Sequence, residues 1–153
     1  MKRRTFLKGT VASGMLGVAA SAGLLSPRMV LAAWPESAFA AKNVDDALKA
    51  LYNSAGAADS SDINIKAPDI AENGAVVPVT VSTGMAAESI TILIKENPQP
   101  LGCSFALSGG AEGYVSTRVK MGKTSDLVAV VKSGGKLHSA KKTVKVTIGG
   151  CGG

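Results

Sequence analysis

The chain has 153 residues, with 17 Lys and Arg against 11 Asp and Glu, for a formal net charge of +6. Residues 1–33 hold five of the basic residues and no acid, so the rest of the chain has 12 basic and 11 acidic residues, a net charge of +1. This balance gives no basic surface for nucleic acid. The remaining length of about 120 residues fits one domain with one core.

The first predicted element is an export signal at the N-terminus. Arg3 and Arg4 form an adjacent pair followed by Phe-Leu-Lys, which is typical of the twin-arginine type. The stretch 11–25 carries no charge, but it is too short and too weakly apolar for a good membrane span. We therefore expect residues 1–33 to be a cleaved twin-arginine (Tat) signal peptide, with an uncleaved membrane anchor as the alternative.

The cleavage site and the destination follow from the same segment. Cleavage fits after Ala32 or Ala33, or later at Ala40, and the Trp34-Pro35 pair favours the earlier sites. The mature protein is then expected in the periplasm, free of the membrane. Twin-arginine export carries proteins already folded in the cytoplasm, and no cofactor site is visible in the sequence, so we expect a partner subunit.

One helix is predicted after the signal, roughly from Asn43 to Asn53. Asn43 is a favourable N-cap residue. Apolar residues recur at i, i+4 and i+7, which places them on one face of a helix. They are Val44, Leu48 and Leu51.

The rest of the chain alternates between short β segments and turns. The predicted strands are 62–66, 76–82, 89–95, 102–108, 114–121, 126–132 and 142–148. Pro78 lies inside the second of them and predicts a sheet edge or a bulge there. Short strands at regular spacing without helices between them predict an antiparallel, immunoglobulin-like β-sandwich over residues 34–148, with a barrel as the alternative.

The chain ends in the sequence Gly149-Gly150-Cys151-Gly152-Gly153. Glycine has no Cβ and permits nearly all backbone conformations, so four glycines leave the Cys151 thiol sterically bare. Three residues beyond Ile148, the thiol stands on the order of 10 Å from the folded body. We therefore predict that residues 149–153 are a flexible arm that delivers a reactive thiol into a narrow channel.

Other chemistry is sparse in the sequence. Cys103 shares the predicted inward face of its strand with Leu101, Phe105 and Leu107, which favours a small core residue over a disulfide with Cys151. His138 is the only histidine, and it is predicted to lie in a solvated loop. No metal motif, P-loop or paired carboxylates are present, so we expect no cofactor, no metal and no catalysis by this chain itself. Partner enzymes must then activate the thiol.

Several motifs occur in the order found in one family. They are the twin-arginine signal, Pro68-Asp69-Ile70-Ala71-Glu72-Asn73-Gly74 with Val77-Pro78-Val79, Asn97-Pro98-Gln99-Pro100, Thr117-Arg118-Val119-Lys120-Met121, and Val146-Thr147-Ile148 running into the terminal Gly-Gly-Cys-Gly-Gly. On these motifs the chain resembles the SoxY family, the substrate-carrying subunits of the periplasmic sulfur-oxidising (Sox) system. The resemblance covers most of the chain.

The resemblance implies an immunoglobulin-like fold and an obligate heterodimer with SoxZ. It also implies that Cys151 is the covalent attachment point. The c-type cytochrome SoxAX would couple thiosulfate to it, and the manganese-dependent hydrolase SoxB would remove sulfate to leave a persulfide. The sulfane dehydrogenase SoxCD would oxidise the remaining sulfur where the organism has one. Cys103 is a departure from the family pattern.

Two other functions fit parts of the sequence. A ubiquitin-like sulfur carrier also ends in Gly-Gly, but the export signal and the many strands disagree with it. A periplasmic β-sandwich interaction protein would use Cys151 for an intermolecular disulfide. An enzyme in its own right is the least favoured class.

Overall fold

The computed structural model describes residues 35–147, which form two helices and nine strands. The helices are α1 (Glu36–Ala40) and α2 (Val44–Tyr52). The strands are β1 (Ala58–Asp59), β2 (Ile63–Lys66), β3 (Ile70–Ala71), β4 (Val77–Thr83), β5 (Ala87–Ile94), β6 (Leu101–Ala106), β7 (Tyr114–Val119), β8 (Ser125–Ser133) and β9 (Lys136–Val146).

The strands form two sheets. The larger sheet joins six strands in the order β1-β9-β8-β5-β6, with β3 also pairing with β9, and the smaller sheet has the order β2-β4-β7. All pairs are antiparallel except that the two-residue strands β1 and β3 run parallel to β9. The sheets share one core, which confirms the predicted immunoglobulin-like sandwich.

The core lies between the inner faces of the two sheets. Alternate residues of β4 face inwards and are fully buried, namely Val77, Val79 and Val81. From the larger sheet, Ile90, Ile92 and Ile94 of β5 join the same cluster, together with Leu127, Ala129 and Val131 of β8. Burying each such aliphatic side chain stabilises the fold by about 1.5–3 kcal/mol. Aliphatic residues therefore build this core almost without aromatic side chains.

The two helices cover the outer face of the larger sheet. Ala38 of α1 and Leu48 of α2 are buried against Leu93, Val128 and Val130. This second layer explains why β5 and β8 are apolar on both faces. Among residues 35–147, no helix is both long and apolar enough to cross a membrane.

The ends of α2 agree with the sequence prediction. The Asn43 side chain accepts a hydrogen bond from the Asp46 backbone N–H at 2.8 Å, so it caps the N-terminus. Asn53 ends the helix in the left-handed conformation, with φ of 54°. The sequence analysis missed α1, because five residues are too few to show a helical period.

A hydroxyl cluster joins α2 to the larger sheet. Tyr52 Oη lies 2.6 Å from Thr91 Oγ1 and 3.0 Å from Ser89 Oγ, and Thr91 Oγ1 lies 2.7 Å from Ser104 Oγ. Thr91 is completely buried. These hydrogen bonds replace the bonds to water that the Thr91 hydroxyl loses when it is buried.

Replacing Tyr52 by phenylalanine is expected to lower the free energy of unfolding by about 1–2 kcal/mol, because Thr91 and Ser89 lose a buried partner. Urea unfolding followed by circular dichroism measures the change. Tyr114→Phe is the matched control, since that side chain is 55% exposed and should tolerate the same loss. Equal stability of the two variants would mean that the cluster contributes nothing.

The predicted alternation in β6 is wrong at Leu101. Leu93 of β5 pairs with Leu101 while the adjacent Ile92 pairs with Cys103, so Gly102 is an extra residue in a bulge. The bulge turns Leu101 to the helix-covered face, where it is buried. Cys103 and Phe105 keep the predicted inward direction and pack against the core between the sheets.

The predicted loop around His138 is also wrong. His138 lies in β9 opposite Val131, and it is half-buried. A tight turn at Gly134 and Gly135, with φ of 55° and 72°, starts β9 at Lys136 rather than at residue 142. The polar composition of this half of β9 concealed the strand.

The prediction for Pro78 is confirmed. On β4, Pro78 is paired with Arg118 of β7, but β2 pairs with β4 only from Thr80 to Thr83. The strand is therefore locally at an edge where the proline lacks its N–H.

Candidate functional site

The predicted reactive arm, residues 149–153, begins two residues after the last described residue. Cys151 and the arm glycines Gly149, Gly150, Gly152 and Gly153 lie outside the described residues, as does the predicted signal peptide with Arg3 and Arg4. The last described residue is Thr147, directly after β9. The structure therefore describes the domain that precedes the predicted arm.

The end of β9 is held on both sides after its pairing with β8 stops at Val144. Lys145 N–H donates to the Asp69 carbonyl at 2.9 Å, and Thr147 N–H donates to the Ala71 carbonyl at 3.1 Å. From the other side, Val146 N–H donates to Thr124 Oγ1 at 3.0 Å. These three bonds hold residues 145–147, the last three described residues, in place.

The segment that provides these carbonyls, residues 69–76, is called the strap here. It contains β3, and its start is joined to β9 by an ion pair of 3.1 Å between Asp69 and Lys142. Met121 N–H donates to the Gly74 carbonyl at 2.7 Å, which fixes the other half of the strap. The strap therefore lies along residues 145–147, which are called the arm root here because they precede the predicted arm.

Gly74 allows the closest approach within the strap. A Cβ at this position would overlap the Met121 carbonyl oxygen and lie 2.8 Å from Val146 Cγ1. The backbone of the strap can approach β9 this closely only because residue 74 has no side chain. The sequence analysis quoted this glycine in a motif but assigned it no role.

Cys103 lies far from the arm root. Cys103 of β6 pairs with Ile92 of β5. Ile92 pairs in turn with Ala129 of β8, and Ala129 pairs with Ala140 of β9, so three strand spacings separate Cys103 from β9. Three strand spacings and the seven residues from Ala140 to Thr147 correspond to about 14 Å across and about 23 Å along the sheet. The four residues from Thr147 to Cys151 span only about 14 Å. An intramolecular disulfide between the two cysteines is therefore out of reach.

The Cys103 thiol is also a weak nucleophile at neutral pH. Burial raises the pKa of Cys103 to about 11, with a smaller opposing effect of a backbone hydrogen bond to Ile92. At pH 7 only about one thiol in ten thousand is then the reactive thiolate. Within the described residues Cys103 is a free, half-buried cysteine.

Alkylation should separate the two cysteines. With iodoacetamide at pH 8, we expect Cys103 to react on the order of a hundredfold more slowly than a thiol of ordinary pKa, because its pKa is raised to about 11. Timed peptide mass spectrometry measures both rates in one sample, and Cys103→Ser identifies the slow site. Equal rates for Cys103 and Cys151 would contradict the buried environment.

No group of three or more His, Cys, Asp or Glu within residues 35–147 is placed to hold a metal ion. The features that the structure brings together at the candidate site are backbone bonds, the Thr124 hydroxyl and Gly74. They hold the root of the arm.

The described domain is an immunoglobulin-like sandwich whose last strand leads into the predicted arm. A family model for the sulfur oxidation protein SoxY matches residues 48–151, well over half of the chain. The solved structure of the sulfur carrier protein SoxY from Chlorobium limicola f thiosulfatophilum is 47% identical, with a TM-score of 0.63, over 69% of this chain and 97% of that chain. The chain belongs to the SoxY family.

More distant structures share the fold alone. Two superoxide reductase (neelaredoxin) structures from Ignicoccus hospitalis, the second of them a single-residue variant, are 22% and 23% identical, with TM-scores of 0.51 and 0.50. Both matches cover 56% of this chain, and they cover 80% and 79% of the respective reductase chains. No curated protein matches the chain.

Proposed function

We propose that this protein is a covalent carrier of sulfur intermediates in thiosulfate oxidation, with the Cys151 thiol as the attachment point. The match to the SoxY family model, which extends to residue 151, carries the proposal. The 47% identical SoxY from Chlorobium limicola is described as a sulfur carrier protein. The function is thus a carrier function rather than catalysis by the chain itself.

The properties of the other cysteine support the assignment to Cys151. The chain has two cysteines, and burial holds the pKa of Cys103 at about 11. A thiol must ionise to act as a nucleophile, so Cys103 is poorly suited to take up substrate. Cys151 lies four residues beyond Thr147, the last described residue, and this length of chain would let its thiol reach a buried catalytic centre.

The loading reaction is an oxidative coupling. The Cys151 S–H bond breaks, a sulfur–sulfur bond forms to the outer sulfur of thiosulfate, and one proton and two electrons are released. The electrons pass to the c-type cytochrome SoxAX, and the product is the cysteine S-thiosulfonate. SoxB then adds water across the terminal S–S bond, which releases sulfate and a proton and leaves a persulfide on Cys151.

The partners in this proposal divide the chemistry among them. SoxZ forms the heterodimer with this chain, and SoxCD oxidises the persulfide sulfur where it is present. The chain needs no cofactor, because the arm presents the bound sulfur to enzymes that hold their own. Gly149, Gly150, Gly152 and Gly153 let the arm enter each channel without side-chain clashes.

The proposed location is the periplasm. Residues 1–33 would direct twin-arginine export and be removed, residues 34–148 would form the folded domain, and residues 149–153 the arm. The adjacent Arg3 and Arg4 and the uncharged segment after them support this assignment.

A loading assay tests the function directly. Reduced protein with SoxZ is mixed with thiosulfate, SoxAX and an electron acceptor, and the C-terminal peptide is analysed by mass spectrometry. We expect a thiosulfate adduct on Cys151 that a reductant removes. Turnover of the cytochrome without any adduct on this peptide would rule the proposal out.

A bulky side chain in the arm should slow loading. Gly150→Val is expected to reduce the loading rate by about tenfold or more, because a β-branched residue clashes with a narrow channel and stiffens the arm. Gly56→Val is the matched control, since a Cβ at Gly56 has no atom within 4 Å. Both variants should unfold at the wild-type temperature. Normal loading by Gly150→Val would contradict the need for a bare arm.

A further inference from the structure

The strap exposes apolar side chains beside the arm root. Within residues 35–147 the exposed large hydrophobic residues are Ile70, Val76 and Tyr114, which are 57%, 50% and 55% exposed. Two of the three, Ile70 and Val76, belong to the strap. Exposed apolar side chains that gather at one place often mark a contact surface.

Both strap residues are tied closely to the end of β9. Ile70 is in register with Lys145, and the next residue, Ala71, is in register with Val146 and accepts the Thr147 N–H. Val76 lies two residues after Gly74, whose backbone is packed against Val146. Backbone hydrogen bonds and close packing therefore join the strap to the arm root.

The length of the chain after Thr147 decides what can cover this surface. Cys151 is four residues further on, so its Cα stands at most about 14 Å from the root. An enzyme that holds the thiol at the bottom of a channel must bring the rim of that channel close to Thr147. The residues around the root are then the first part of the folded domain that the rim meets.

We propose that Ile70 and Val76 form a docking surface for the apolar rim of the channel in enzymes that act on the Cys151 arm. This proposal rests on the carrier function proposed above. Two aliphatic side chains bury little area, which suits a carrier that must leave each enzyme after one step. The strap motif thereby gains a role in partner recognition besides its role in holding β9.

Tyr114 provides a matched control for exposed apolar area. It pairs with Ser82 at one end of β4, whereas Val77, next to Val76, pairs with Val119 at the other end. The five residue steps from Val77 to Ser82 separate the two ends by about 17 Å. Tyr114 is therefore as exposed as the strap residues but lies away from the start of β4.

The test is the steady-state rate of thiosulfate loading by SoxAX as a function of carrier concentration, with SoxZ bound. Ile70→Ser and Val76→Ser should each raise the KM for the carrier about three- to tenfold and leave kcat unchanged. Tyr114→Ser should keep the wild-type KM. Because the side chains are exposed, the melting temperatures of all three variants should match the wild type.

Three results would overturn the docking proposal. If both strap variants keep the wild-type KM, the enzyme contacts the carrier at some other surface. The carrier function would still stand in that case, provided that the wild-type protein is loaded. Loss of SoxZ from the purified strap variants would assign the surface to the subunit interface. Failure of the wild-type protein to load at all would remove the carrier function and this proposal with it.

Discussion

Replacing Cys151 by serine is expected to abolish formation of the sulfur adduct, whereas replacing Cys103 by serine should leave it at the wild-type level. Serine keeps the size of the side chain but removes the nucleophilic sulfur. Burial raises the pKa of Cys103 to about 11, so it does not substitute for the lost thiol. The measurement is the adduct yield after incubation with thiosulfate and the loading cytochrome, read by intact mass.

Each cysteine variant is the control for the other, because each removes one thiol and keeps the second. Both should fold, since Cys103→Ser changes one half-buried atom and Cys151 lies four residues beyond the described domain. An adduct that persists in Cys151→Ser, or disappears in Cys103→Ser, would assign the attachment point to Cys103 instead.

Replacing Gly74 by alanine should destabilise the domain and loosen the arm root. The new Cβ overlaps the Met121 carbonyl oxygen, which belongs to the backbone and cannot move aside alone. Overpacking of this kind costs about 1–3 kcal/mol. For a domain of this size, the upper half of that range lowers the melting temperature by about 10 °C. Thermal unfolding followed by far-UV circular dichroism measures the effect.

Gly84→Ala is the control for this substitution. A Cβ at Gly84 has no atom within 4 Å, so the change should stay within about 0.5 kcal/mol. If Gly74→Ala is as stable as Gly84→Ala, the strap does not lie as close to Met121 and Val146 as the structure places it.

The sandwich was predictable because its strands carry a strong local pattern. In β4, valines alternate with proline, threonine and serine, and the valines at 77, 79 and 81 are the buried residues. Asn43 and Asn53 likewise marked the ends of α2 through capping preferences that act within one turn. Local signals of this kind require no knowledge of the rest of the fold.

The structural features that the sequence did not predict depend on contacts between residues that are far apart in the sequence. The bulge at Gly102, which arises where β6 pairs with β5, turns the Leu101 side chain to the opposite face of the sheet. No pattern within β6 itself predicts this bulge. The first half of β9 is polar, so only its pairing with β8 shows that His138 lies in a strand. In both cases the partner strand decides the structure.

The sequence singles out a candidate reactive group, but it does not predict the contacts that the structure shows beside the predicted arm. Cys151 stands out because glycines surround it in the sequence. Thr124 and the strap contact β9 from 22 and 76 residues away, through Val146 and Thr147 respectively. Nothing in the spacing of these residues predicts that they meet at the root of the arm.

The central claim is that Cys151 carries sulfur, and mass spectrometry of the native protein tests it most directly. The protein would be purified from cells grown on thiosulfate, and its C-terminal peptide analysed with and without reductant. The carrier function predicts reductant-labile additions of sulfur atoms or a thiosulfate group on Cys151. A free Cys151 thiol, or an interchain disulfide alone, would contradict it.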